Sequence, residues 1–211
     1  MDENQLDRRN ALVMAVVAMT AVVLASNILV QYPVMGTLGG IQLDDVLTYG
    51  AFTYPLAFLV TDLVTRTFGP ELGRKVAFAG FACAVILSLA LATPRIAIAS
   101  GTAFLCAQLF DVTVFQRLRH HHWWRAPLIS SVLGSALDTV LFFTIAFTAA
   151  IPFGIDDFAV VIVPFFGLEG ASEAPRWVSW AIADYCVKVL IALAALAPYR
   201  VLILRWAATR P

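Results

Sequence analysis

The stretch YGAFTYPLAFLVTDLVTRTFGPELGRK, residues 49–75, decides the fold. It begins as an apolar run of helical length, admits Asp62 and Arg66 one turn apart, and ends in Gly69-Pro70 and the basic pair Arg74-Lys75. An apolar segment that carries a carboxylate near one end and stops at positive charge reads as a membrane span with a functional face. An ionisable group inside a bilayer is costly and marks a functional site by default.

The composition agrees. The chain has 211 residues, 61% of them hydrophobic and 13% charged, where soluble domains run near ~45–50% apolar and ~25% charged. Zero formal net charge and the absence of a basic, aromatic-interleaved patch exclude a nucleic-acid partner. The three cysteines lie in apolar runs without metal or disulfide spacing and read as small packing residues in helices. Consecutive histidines at His120–His122 do not face one point, so no metal site is expected there. Trp123, Trp124 and Arg125 beside them read as an interfacial anchor. No nucleotide-binding or hydrolase signature occurs, so neither a cofactor nor an enzymatic activity is expected.

Working outward from residues 49–75, the runs long enough to span a bilayer are residues 11–32, 46–67, 74–92, 96–115, 128–151 and 177–198. They predict an all-α integral membrane protein, one transmembrane domain over residues 1–211, built as a bundle of six transmembrane helices. The first run is too long for a signal-peptide core and reads as a retained span. The short apolar stretch at residues 158–168 reads as an interfacial or re-entrant segment, since a seventh span would put the basic tail outside. With the N-terminus inside, one side receives Arg8, Arg9, Arg66, Arg74, Lys75, Arg117, Arg119, Arg125, Arg200, Arg205 and Arg210, and the other only Arg95 and Arg176. That asymmetry predicts both termini in the cytoplasm.

Polar residues inside the spans fall on stripes. Span 1 carries Asn27 and Gln31 at i, i+4; span 2 carries Tyr54, Phe58, Thr61, Asp62 and Thr65. Span 4 carries Gln108 and Asp111; span 5 carries Ser131, Ser135 and Asp138; span 6 carries Asp184, Tyr185 and Lys188. Asp184 and Lys188 share a helix face and form the natural ion pair, which leaves Asp138 in need of a separate donor. Asp62, Arg66 and Asp111, nearer the cytoplasmic end, read as gating or ion-pair residues. For all of these, tying helices together is the competing role.

Six segments carry a resemblance: SNILVQYPV (26–34), YGAFTYPLAFLVTDLVTRTFGPELGRKVAF (49–78), FDVTVFQRLR (110–119), WWRAP (123–127), SALDTVLFFTIAF (135–147) and ADYCVKVL (183–190). In order and spacing the chain resembles the queuosine precursor transporter family, also called the vitamin uptake transporter family. The glycine-rich loop at 36–47 and the connection at 152–176 are less family-like.

The resemblance implies a six-helix inner-membrane protein that takes up 7-cyano-7-deazaguanine, its 7-aminomethyl analogue, or both. Such a cargo suits the polar inventory. Its N1–H and exocyclic amine call for a carboxylate, Asp138 or Asp184. Its carbonyl calls for a donor, Asn27, Gln31, Gln108 or Lys188. Its flat face suits stacking on Tyr54, Phe58 or Tyr185. The partners expected are therefore a 7-deazaguanine and the lipid bilayer, and a homo-oligomer is compatible with both.

Two other functions compete. One is a substrate-capturing subunit of an energy-coupling-factor-like complex, for which small residues such as Ala11 and Ala15 offer a docking stripe. The other is an intramembrane enzyme, which the Asp184/Lys188 pair permits but no motif specifies. Proton coupling is left open, with Asp138 and Asp184 as carriers.

Overall fold

The computed structural model describes residues 3–208, with side chains from 8 to 205. Arg210, counted above on the basic side, lies outside the described residues, as do both chain ends. Five helices among the described residues are long and apolar enough to cross a membrane. They are α1 (Glu3–Leu29), α4 (Pro70–Leu91), α5 (Pro94–Leu118), α6 (Arg125–Phe147) and α8 (Arg176–Ala208).

The second expected span is broken. It forms α2 (Gly50–Thr53) and α3 (Leu56–Phe68), joined at Tyr54-Pro55. Pro55 has no N–H to continue the helical ladder. Across the joint Ala57 and Phe58 bond instead to the carbonyls of Tyr54 and Pro55, three residues back, which tightens the turn. The 13 residues of α3 extend only ~20 Å, which is less than a bilayer core.

Turn chemistry sets the other helix ends. Gly69, at φ 93°, closes α3 and opens α4, a backbone region that glycine enters freely, and Pro70 follows at the first helical position. The Thr93 hydroxyl accepts from the Ile96 N–H, with Pro94 starting α5.

Contacts group the helix ends. At one end Arg8 donates to the Phe68 carbonyl, Arg66 to the Arg119 carbonyl, and Arg200 stacks on Trp123. At the opposite end two loops meet. Residues 30–49 carry the hairpin β1 (Thr37–Leu38) and β2 (Ile41–Gln42). Residues 148–175 carry α7 (Asp157–Val160) and the hairpin β3 (Ile162–Pro164) and β4 (Glu173–Pro175). They approach closely enough that a Cβ on Gly40 would stand 3.4 Å from Leu168. Residues 158–168 thus form short elements rather than a helix of spanning length.

The distribution of polarity is inside-out relative to a soluble protein. Met14, Val17, Ile86, Leu89, Leu190 and Leu204 are well exposed, while Asp62, Asp111, Asp138, Arg95 and Lys188 are buried. Lipid is the solvent that rewards this arrangement. Lipid tails are as apolar as the helices, so packing and interhelical hydrogen bonds hold the bundle together. Met19, Val23 and Val76 belong to an apolar core cluster, and Ala11 and Ala15 are buried in it. The expected docking stripe on α1 is therefore already filled by the chain's own helices. Cys106 and Cys186 are exposed and Cys83 is half-buried, so two of the three cysteines face outward instead of packing inside.

Candidate functional site

A cavity of about 660 Å³ opens among α1, the α2–α3 joint, α5, α6 and α8, within the ~300–1,000 Å³ range of small-molecule sites. Its polar centre is a triad. Lys188 Nζ lies 2.7 Å from Asp138 Oδ2 and 2.5 Å from Asp184 Oδ2, and donates to Thr139 Oγ1 at 3.1 Å. Thr139 Oγ1 donates in turn to Asp184 Oδ2 at 2.9 Å, and the Tyr54 hydroxyl to Asp138 Oδ1 at 3.2 Å.

This corrects the expected pairing. Asp138 has a separate donor in the Tyr54 hydroxyl, but it also shares Lys188 with Asp184, so the lysine does not belong to Asp184 alone. The reason is geometric: α6 and α8 pack against each other, and one ammonium with three N–H donors reaches all three acceptors. With both carboxylates ionised the triad carries a formal charge of −1.

The hydrogen-bond inventory narrows the roles. All three Lys188 donors are used within the protein, so none remains for a ligand carbonyl. Both Asp138 oxygens are engaged. Asp184 keeps 17% of its side chain accessible, and its Oδ1 receives no donor among the described residues. Asn27 lines the same cavity and uses one amide hydrogen on the Val23 carbonyl at 2.9 Å; its second amide hydrogen is free to donate.

Five of the expected residues meet in this cavity: Asn27, Tyr54, Asp138, Asp184 and Lys188. The other four do not line it. Gln31 sits past the end of α1, exposed, with its amide on the Asn27 carbonyl. Phe58 is buried against Gly134. Gln108 is buried and accepts from the Thr61 hydroxyl at 2.9 Å. Tyr185 is half-buried on another face of α8.

Two further parts of the site escaped the reading of the sequence. Thr139 completes the series Ser131, Ser135, Thr139 at steps of four, the same spacing that singled out its neighbours. Trp180 completes Trp180, Asp184, Lys188 in the same way. Around Trp180 gather Phe147, with ring centroids 5.5 Å apart, and Phe158 from α7, 6.2 Å away at an interplanar angle of 30°. Arg176 stacks on the Phe158 ring, 4.0 Å from its centroid. The cavity thus pairs one polar pole with an aromatic wall.

A second buried centre lies nearer the Arg-rich end. Asp62 does not pair with Arg66, whose guanidinium reaches the Arg119 carbonyl at the end of α5 instead. The Asp62 carboxyl turns towards α6 and accepts from Ser130 and Ser131, each at 3.3 Å. Its other neighbour is the Asp111 carboxyl. No group of three or more metal-ligating side chains occurs among the described residues.

Residues 48–92 and 88–203 match the family described as "Putative vitamin uptake transporter". This chain belongs to the vitamin uptake transporter family. It is similar to the "Queuosine precursor transporter" of Escherichia coli (strain K12), 34% identical over 84% of this chain and 79% of that protein. It is also similar to the "Probable queuosine precursor transporter" of Haemophilus influenzae, 32% identical over 92% of this chain and 87% of that protein. A Bacillus subtilis protein of the same name is 27% identical over 72% and 69%. No solved structure matches the chain. Membership in the vitamin uptake transporter family makes this a multi-pass membrane transporter and not an enzyme.

Proposed function

We propose that the protein imports queuosine precursors across the inner membrane, with 7-cyano-7-deazaguanine, its 7-aminomethyl analogue, or both as cargo. The observation that carries this reading is the 660 Å³ cavity with its hydrogen-bond vacancies. Asp184 Oδ1 accepts from the N1–H and exocyclic amine edge. The free Asn27 amide hydrogen donates to the carbonyl. The aromatic group of Trp180, Phe147 and Phe158 covers the flat face, a contact worth ~1–3 kcal/mol per stacked base. The names borne by the relatives support the same cargo.

The α2–α3 passage serves as a sixth, discontinuous crossing of a single domain, and both termini face the cytoplasm. Broken helices are tolerated at membrane depth where they line a cavity, and the Tyr54-Pro55 joint lies at this one. The Lys/Arg asymmetry supports the orientation.

Titration of purified protein with deazaguanines, guanine and unrelated vitamins tests the cargo. Saturable binding of a deazaguanine, weakened by Asp184→Asn and Asn27→Ala, is the expected result. Equal binding of a vitamin unrelated to purines would overturn it. Uptake by the chain alone in proteoliposomes would eliminate the energy-coupling-factor alternative.

A further inference from the structure

Asp62 and Asp111 are 1% and 0% exposed, and neither forms an ion pair with Lys, Arg or His among the described residues, where the ion pairs are those of Lys188. Arg66, on the same helix as Asp62, is committed to the Arg119 carbonyl. Ser130 and Ser131 come from α6, and Tyr199 from α8. The single hydroxyl proton of Ser130 has Asp62 and the Pro127 carbonyl as acceptors, and neither Asp111 oxygen has a protein hydrogen-bond partner among the described residues.

Two ionised carboxylates in that position would repel each other with no cation to compensate. A hydrogen bond between them requires a proton that neither supplies when ionised. An independent feature points the same way. The Tyr199 hydroxyl is 0% exposed and unpartnered, and Tyr199 lines a cavity of about 10 Å³ together with Asp62 and Ser131. That is about the room one water needs, and polar groups line it.

A polar line also joins this centre to the triad. Ser131, Ser135 and Thr139 recur at steps of four along α6, spanning ~12 Å. Ser135 Oγ, at the midpoint, is buried and unpartnered. From Thr139 the line continues to Lys188 and both triad carboxylates.

We infer that Asp62 and Asp111 form a proton-binding site that couples cargo import to inward proton movement. The pair takes one proton from the cavity side along the α6 hydroxyls. It releases that proton towards the Arg-rich end through Tyr199 and the small cavity beside it, which has room for one water. The proton is only relayed: no bond to carbon changes and nothing is oxidised or reduced. The coupling rests on the importer reading above; the proton site itself does not.

Infrared spectroscopy of the purified protein at neutral pH tests the site without any cargo. The wild type should show a carboxylic-acid C=O band that shifts in heavy water, and Asp111→Asn and Asp62→Asn should each lose it. Asparagine keeps a donor between the two positions and mimics a permanently loaded pair, so these variants should fold.

In proteoliposomes with an acidic exterior, wild-type uptake should exceed equilibration and fall back with a protonophore. The two variants should keep cargo affinity but only equilibrate. A wild type without the acid band, a band that survives both substitutions, or accumulation indifferent to the gradient would overturn the proposal. If the band behaves as expected while no deazaguanine binds, the cargo reading fails and the proton site stands.

Discussion

The Tyr54 hydroxyl donates to Asp138 Oδ1 at 3.2 Å across 84 residues of chain, and it does so from the joint where Pro55 interrupts the second passage. The break therefore places the phenol against the triad. The Tyr54 ring also packs edge-on against Phe104, centroids 6.0 Å apart, so Tyr54→Phe removes the hydroxyl and keeps the packing. A hydrogen bond to a charged group is worth ~1.5–3 kcal/mol. The variant should fold, melt lower and bind cargo several-fold more weakly. Melting and titration curves that superimpose on the wild type would remove the hydroxyl from the site.

The triad predicts an order among substitutions that a simple Asp184–Lys188 pair does not. Lys188→Met leaves two buried carboxylates without their cation, a loss of about 3–5 kcal/mol for a broken buried pair, and should cost most of the folded protein. Asp138→Asn and Asp184→Asn each leave a neutral ion pair and should fold. Asp184→Asn should weaken binding, because its one remaining oxygen must face Lys188 and its NH2 then replaces the accessible acceptor. The double change Asp184→Asn/Lys188→Met still strands Asp138, so stability should return only when Asp138→Asn is added. Thermal melts in detergent check the order; a Lys188→Met protein as stable as wild type would refute it.

Much of this arrangement was legible in the chain. Asp184 and Lys188 announce each other by spacing, and Asp138 by its depth in an apolar run. The break at Pro55 was not read, because hydropathy sums over a kink without registering it. Sharing of Lys188 was hidden for a related reason: spacing reports neighbours on one helix, and the second carboxylate arrives from another. Asp62 and Arg66 show the converse error, since one turn of separation permits an ion pair but does not compel it when a helix-end carbonyl is nearer. The aromatic wall lay in plain composition, yet Phe158 comes from a loop whose fold periodicity cannot describe.

Gly50 should tolerate no side chain. A Cβ there would stand 2.9 Å from the backbone N and Cα of Val30, and backbone cannot step aside as a flexible side-chain end can. Overpacking of this kind costs ~1–3 kcal/mol. Gly50→Ala should lower the melting temperature and, by moving α2 away from α1, weaken binding at Asn27. Gly39, which has open space around its Cβ position but a positive φ, serves as the comparison: Gly39→Ala should strain the hairpin and leave cargo affinity unchanged. Equal affinity losses at both positions would count against a specific α1–α2 contact.

Orientation yields the last prediction, and the two exceptions to the charge asymmetry sharpen it. Arg95 is 1% exposed and donates to the carbonyls of Ile145, Thr148, Ile151 and Phe153, so it caps the end of α6, where a cation is favoured. Arg176 is stacked on Phe158. Both basic residues at the loop end are thus committed to local structure, and the exposed cations that govern insertion lie at the other end. In a background with Cys83, Cys106 and Cys186 replaced by alanine, a cysteine at the exposed position Ser172 should react with a membrane-impermeant maleimide in intact cells. One at the exposed position His121 should react only after permeabilisation. The reverse labelling would invert the protein in the membrane. Labelling of both positions in intact cells would break the pairing of an even number of crossings with cytoplasmic ends.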